Sequence, residues 1–203
     1  KEENSWFYLA SNGAMQTGWG DIESDRYFFD SNGIMQTGWT EINEKFHYFD
    51  PSGAMQTGWH QENGDYYYLD AVDGSMATNW LFLNNIWYYM GSNGVMKTGF
   101  QTIDNAKYYL APNGAMLTGW NRINDKRYYF HDNGQMALGF TTLGKDTFYF
   151  DELGVLTTGW NQLNKDWYYF DGNGVMQKGF VSFGATTFYF DEVGKMAVGW
   201  KSI

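Results

Sequence analysis

The sequence predicts an all-β protein, a solenoid built of β-hairpins. Three observations predict it. One phrase of aromatics, turn residues, Met and Gly-aromatic returns throughout the chain: "YFFDSNGIMQTGW" at Tyr27 to Trp39, "YYFHDNGQMALGF" at Tyr128 to Phe140 and "YYFDGNGVMQKGF" at Tyr168 to Phe180. Short runs of alternating side chains are separated by two-residue turn signals, the pattern of paired strands. Aromatics make up 21% of the 203 residues while Leu, Ile and Val are scarce, so the rings must supply most of the burial, at roughly 150–250 Å² each.

The period comes first. Turn glycines stand at Gly13, Gly33, Gly53, Gly74, Gly94, Gly114, Gly134, Gly154, Gly174 and Gly194, a step of 20 with one step of 21 from the extra residue in "DAVDGSM". A Met follows two residues after each, from Met15 to Met196, with Leu156 the exception, and a Gly-aromatic pair follows soon after (Asn79-Trp80 in one repeat). The pattern fills residues 1–203, which predicts a single repeat array with no linker or second domain. Both ends look cut from the pattern, so a fragment of a longer protein is expected.

Within a repeat, the first strand starts at the Gly-aromatic pair, as in "GWTEI", and the second is "FHYFD". The turn pairs between such strands are Asn43-Glu44, Asn63-Gly64, Asn84-Asn85, Asp104-Asn105, Asn124-Asp125, Gly144-Lys145 and Asn164-Lys165. Asn-Gly is the strongest short hairpin signal, because a type I′ turn needs φ > 0 at both central residues. That register sets Trp39 opposite Tyr48.

Alternation sorts the faces. In the second strand the fourth position is always apolar (Leu9, Phe29, Phe49, Leu69, Met90, Leu110, Phe130, Phe150, Phe170, Phe190) and points inward with the second. The first and third point outward with the Gly-aromatic ring. The third is Tyr except for Phe28, and the first varies freely: Trp6, Arg26, Phe46, Tyr66, Trp87, Lys107, Arg127, Thr147, Trp167 and Thr187. An isolated hairpin is marginal in water, so these must stack along an axis to bury a continuous core.

Outward aromatics predict a ligand, because exposed apolar patches usually mark a binding surface. Two or three rings around a gap, with a polarisable Met beside them, suit an organic cation. Cation–π attraction contributes about 0.5–1 kcal/mol per exposed contact and about 2 kcal/mol or more when desolvated. The formal net charge of −10 agrees in sign and argues against nucleic acid, which needs a basic face.

The repeat "GWNQLNKDWYYFDGNGVMQKGF" resembles the choline-binding, or cell-wall-binding, repeat of Gram-positive surface proteins and cell-wall hydrolases. Its Gly-Trp, the Trp seven residues on, Tyr-Tyr-Phe and Asn-Gly-x-Met all match, and the likeness runs through all ten repeats. The resemblance implies a left-handed superhelix of about ten 20-residue repeats with choline pockets between consecutive hairpins. It implies a secreted module held at the bacterial cell surface by choline or phosphocholine of teichoic and lipoteichoic acids. It also implies sites made of the Gly-aromatic ring, the aromatic seven residues on, and a ring from the next hairpin. Four places fit when the third-position Tyr is chosen to close the cage: Trp39, Phe46 and Tyr68; Trp59, Tyr66 and Tyr89; Trp80, Trp87 and Tyr109; Trp160, Trp167 and Tyr189. Met55, Met76, Met96 and Met176 are the expected loop walls.

The pattern also departs from the family. Arg26, Lys107 and Arg127 replace the second aromatic after Trp19, Phe100 and Trp120, and a fixed cation there should fill the gap or repel choline. Thr147 and Thr187 remove a wall after Phe140 and Phe180. These gaps are expected to bind choline weakly or not at all.

No catalytic residues are expected. The row of Asp30, Asp50, Asp70, Asp151, Asp171 and Asp191 is explained by Asx-turns rather than by paired acid–base carboxylates. His47, His60 and His131 occupy different repeat positions, which gives no metal-ligand spacing, and no cofactor motif is present. There is no Cys, and no apolar run approaches the roughly 18 residues of a membrane span. A homodimer is a partner the sequence leaves open. The competing function is a carbohydrate-binding repeat array like those of glucan-binding enzymes and large clostridial toxins. An enzyme is expected only beyond this chain, for example an attached cell-wall hydrolase.

Overall fold

A computed structural model describes residues 5–200 and 202, and the architecture is all-β. Nine antiparallel hairpins follow one another at 18–29, 38–49, 58–69, 79–90, 99–110, 119–130, 139–150, 159–170 and 179–190, each a two-stranded sheet of its own. The hairpins fall into two compact units, residues 1–98 with 112–115 and residues 99–111 with 116–203.

The turn pairs dictate the register. Asn43 and Glu44 both have positive φ, 52° and 65°, as do Asn63 and Gly64 at 52° and 90°. Such a two-residue turn matches the right-handed twist of the strands. It places Trp39 across from Tyr48 and Glu41 across from Phe46 on one face, with Thr40 across from His47 and Gly38 across from Phe49 on the other. The inner face carries the core: Phe49, Leu69, Met90, Leu110, Phe130, Phe150, Phe170 and Phe190 are fully buried. Where expected, each Asp closes the loop after its hairpin. Asp30 Oδ1 accepts from the Asn32 and Ile34 amides at 2.9 and 2.8 Å, and Asp171 Oδ1 accepts from Asn173 and Val175 at 2.8 and 2.9 Å.

Successive hairpins are joined through their loops rather than strand to strand. Met55 bridges to Phe49 of the hairpin before it, and its amide donates to the Arg26 carbonyl one hairpin further back at 2.8 Å. The thioether then lies against the next turn glycine, where a Cβ built on Gly74 would sit 2.5 Å from the Met55 sulfur. The same contact recurs between Met76 and Gly94, which has φ 77°. These glycines therefore meet two demands, a left-handed backbone and room for the Met of the preceding repeat. One Met thus ties three repeats together.

Candidate functional site

On every described hairpin the Gly-aromatic ring meets the third-position ring directly across from it, edge to face at most hairpins. Trp39 lies 5.2 Å from Tyr48, Trp59 5.4 Å from Tyr68, Trp80 5.1 Å from Tyr89 and Trp160 5.3 Å from Tyr169. The next hairpin covers this outer face with its own inner face. Trp39 meets Tyr67 at 4.9 Å, Trp59 meets Tyr88 at 5.1 Å and Trp160 meets Phe188 at 4.9 Å.

The rings brought onto Trp39, Trp59 and Trp160 from the next hairpin are thus second-position rings rather than the third-position Tyr68, Tyr89 and Tyr189 chosen from the sequence. Each third-position Tyr lies on the Gly-aromatic ring of its own hairpin: Trp59 for Tyr68, Trp80 for Tyr89, Phe100 for Tyr109 at 4.8 Å and Phe180 for Tyr189 at 4.9 Å. Adjacent residues of a strand point to opposite faces. At these gaps the inner face looks back at the preceding hairpin, so the second position meets its Gly-aromatic ring.

The Met assignment shifts for a related reason. The loop after one hairpin bonds back to the first-position carbonyl of the hairpin before. The amides of Met76, Met96 and Met196 donate to Phe46, Tyr66 and Trp167 at 2.7, 2.8 and 2.8 Å. Met76 and Met96 thus stand beside expected gaps. Met55 goes instead with Arg26 and Met176 with Thr147, while Met196 stands beside the gap of Trp160 and Trp167. Tyr67, Tyr88 and Phe188 were missed from sequence because the inner face was assigned wholly to the core, and Met196 because its loop reaches back past its own hairpin to Trp167.

The first position forms the open wall. Phe46, Tyr66, Trp87 and Trp167 are 43%, 44%, 42% and 40% exposed, far from the buried state of the fourth-position rings. Trp80 and Trp87 meet at 90° with centroids 6.2 Å apart, and Trp160 and Trp167 at 77° and 6.3 Å. Each pair forms a nearly right-angled corner whose first-position ring is partly exposed.

At two of the three cationic first positions the cation lies over the Gly-aromatic ring. The Arg26 guanidinium stands 4.7 Å over the Trp19 ring, and Arg127 stands 5.8 Å from the centre of Trp120. Arg127 also donates to the Asn173 carbonyl, and Lys107 Nζ donates to the Glu152 carbonyl at 2.7 Å, both two repeats downstream. Cavities remain beside all three. One of about 310 Å³ is lined by Phe100, Gln101, Thr102, Lys107, Tyr128, Met136 and Leu153. Another of about 330 Å³ is lined by Trp120, Arg127, Phe148, Asn173 and Val175. The third, about 260 Å³ at Trp19 and Arg26, is more polar, with Ile42, Asn43, Lys45, His47 and Asp73. At Phe140 and Phe180 the first position is a small hydroxyl instead, and it bonds across the hairpin: Thr147 to Thr142 at 3.2 Å, Thr187 to Ser182 at 2.8 Å.

Electrostatics follow burial. Desolvation raises the Tyr67 hydroxyl above its usual value, helped by Asp65 and Glu62. His47, buried in the second position, is pushed below the ordinary imidazole value by burial, against a weaker opposing effect of the Lys45 carbonyl. Asp73, in the one longer loop, is held well below the carboxylate range by hydrogen bonds from Ser75 and by Lys45 at 2.9 Å.

Known proteins share the repeat and the fold. The choline-binding repeat profile matches residues 16–55, 36–80, 97–138, 117–154 and 157–200, and a putative cell wall binding repeat profile matches 1–15 and 78–96. The chain belongs to the choline-binding repeat family. Among solved structures it is similar to CbpJ from Streptococcus pneumoniae, at 28% identity and TM-score 0.78, covering 95% of this chain and 85% of that one. Choline binding protein F of Streptococcus pneumoniae, crystallised with a peptidoglycan analogue, shares 26% identity and TM-score 0.78 over 98% of this chain and 85% of its own. The choline-binding domain of CbpL from Streptococcus pneumoniae shares 26% identity and TM-score 0.63, over 92% of this chain and 100% of that one. No curated protein matches the chain.

Proposed function

We propose that this chain is a non-catalytic anchor that holds its protein to the cell wall by binding choline residues of teichoic and lipoteichoic acids in the aromatic gaps. The ligand sits against the Gly-aromatic and first-position rings of one hairpin and the second-position ring of the next. The gaps concerned are those of Trp39 with Phe46 and Tyr67, of Trp59 with Tyr66 and Tyr88, and of Trp160 with Trp167 and Phe188. The corner of Trp80 and Trp87 is a fourth. One observation carries the reading: where Arg26 replaces the second aromatic, its own cation lies over the Trp19 face at 4.7 Å. The chain thus places a positive group over the Gly-aromatic ring at Trp19, and again at Trp120 with Arg127.

A trimethylammonium group has no N–H to satisfy, so rings and a thioether suffice to hold it. Each gap alone should bind at millimolar strength, about −4 kcal/mol. Several gaps on one polymer raise the apparent affinity by about 10²–10⁴. The array is then a durable anchor that excess free choline releases. Retention on choline-agarose, with elution by choline and not by glucose or galactose, tests it. Elution by the sugars alone would favour a carbohydrate-binding array.

A further inference from the structure

One inner-face position departs from its column. The last residue of the first strand is Ile22, Ile42, Leu83, Ile103, Ile123, Leu143, Leu163 or Phe183 in eight hairpins, and Glu62 in the ninth. This position faces the gap of the preceding hairpin. Phe183 lies 5.4 Å from the Trp160 ring, and Ile42 lines the cavity at Trp19 and Arg26. Glu62 therefore brings a carboxylate into the gap of Trp39. Its Oε2 accepts from Trp39 Nε1 at 2.7 Å, and its charge helps raise the Tyr67 hydroxyl.

That carboxylate is half-buried, and no Lys or Arg among the described residues forms an ion pair with it. It lies directly across its hairpin from Asp65, a second negative group. Removing part of a carboxylate's water for a single neutral hydrogen bond is costly unless a positive charge arrives to pair with it. His60, on the same face, brings its ring to 5.8 Å from Trp39, and its Nε2 is buried without a hydrogen-bond partner. The gap is thus more polar than one closed by Leu or Ile.

We propose that Glu62 makes the gap of Trp39 and Tyr67 a carboxylate-assisted cation site, which binds ammonium ions carrying N–H groups, such as protonated primary amines, as well as quaternary ones. The proposal rests on the cation-binding reading above and deepens it. Rings alone cannot accept the strong hydrogen bonds of a primary ammonium, whereas a carboxylate accepts them and adds charge attraction. At the Trp160 gap, with Phe183 in this place, a primary amine keeps its preference for water.

Site-resolved titration separates the two readings. The indole N–H resonances of ¹⁵N-tryptophan-labelled protein are assigned with Trp39→Phe and Trp160→Phe. They are then followed with choline and with ethanolamine in the wild type, Glu62→Gln and Glu62→Leu. Leu at this place occurs in other hairpins and keeps the fold if the Gln variant does not. The expected result is that choline moves both resonances, with half-saturation at Trp39 rising about fivefold in the variants, or about 1 kcal/mol at 1.4 kcal/mol per tenfold. Ethanolamine should move Trp39 in the wild type alone and leave Trp160 still. If choline moves both resonances while ethanolamine leaves Trp39 unmoved in the wild type, or Glu62 substitution changes neither titration, the assignment to Glu62 is wrong and the anchor reading stands. If choline moves no tryptophan, both are wrong.

Discussion

The gap at Trp160 and the gap at Trp120 lie in the same unit and share nearly every part. Each has a Trp after Gly, a Tyr across the hairpin (Tyr169 and Tyr129) and a Phe from the next hairpin (Phe188 and Phe148). They differ most in the first-position wall, Trp167 against Arg127, and also in Phe183 against Leu143 and Met196 against Leu156. The first has an aromatic corner, and the second has a guanidinium that also reaches the Asn173 carbonyl. The first position therefore sets whether the corner beside the Gly-aromatic ring is aromatic or cationic. The hairpin itself is indifferent, because the first position faces outward and contributes nothing to the core.

The largest change comes from breaking what both kinds of gap share. Gly94→Ala forces a left-handed backbone on Ala and sets its Cβ 2.2 Å from the Met76 sulfur. A loss of about 2–4 kcal/mol is expected in urea unfolding, since strain and overpacking add. Next is the wall itself. Trp167→Ala should weaken choline binding at its gap at least tenfold, about 1.4 kcal/mol, while Thr187→Ala and Lys107→Ala leave binding unchanged. Equal losses in tryptophan-fluorescence titrations of all three would erase the distinction between the gaps. A smaller gain is expected from Arg127→Trp, which rebuilds the corner at Trp120. Equilibrium dialysis should show one additional millimolar choline site per chain, and an unchanged stoichiometry would show that more than this wall differs.

The smallest effect concerns pH at the gap of Trp19, where His47 takes the place of the usual Tyr or Phe, 5.2 Å from the Trp ring. Burial lowers its folded value below the ordinary imidazole value of 6.5, so the folded chain keeps His47 neutral where the unfolded chain has begun to protonate. Stability from this group is fully present above about pH 6.5 and is lost as pH falls through the lowered folded value. Thermal melts at pH 7.5 and 5.5 should therefore differ more for the wild type than for His47→Tyr. An equal difference would place the pH response elsewhere.

The amino-acid sequence by itself determined the hairpins, their turns, their register and the face each ring occupies. Those depend on interactions within some twelve residues: φ > 0 at Asn63-Gly64, two-residue alternation, and an Asp that closes its own loop. It also marked the variable wall, because Arg26, Lys107 and Arg127 break a strict pattern. The ring closing each gap was decided only by stacking. Tyr67 and Tyr68 are equally aromatic in the sequence, and only the inner face of one hairpin lying on the outer face of the one before selects Tyr67. The same holds for Met76 beside Phe46, which joins residues 30 apart, and for Glu62, whose carboxylate meets Trp39 only because one repeat stands on the next.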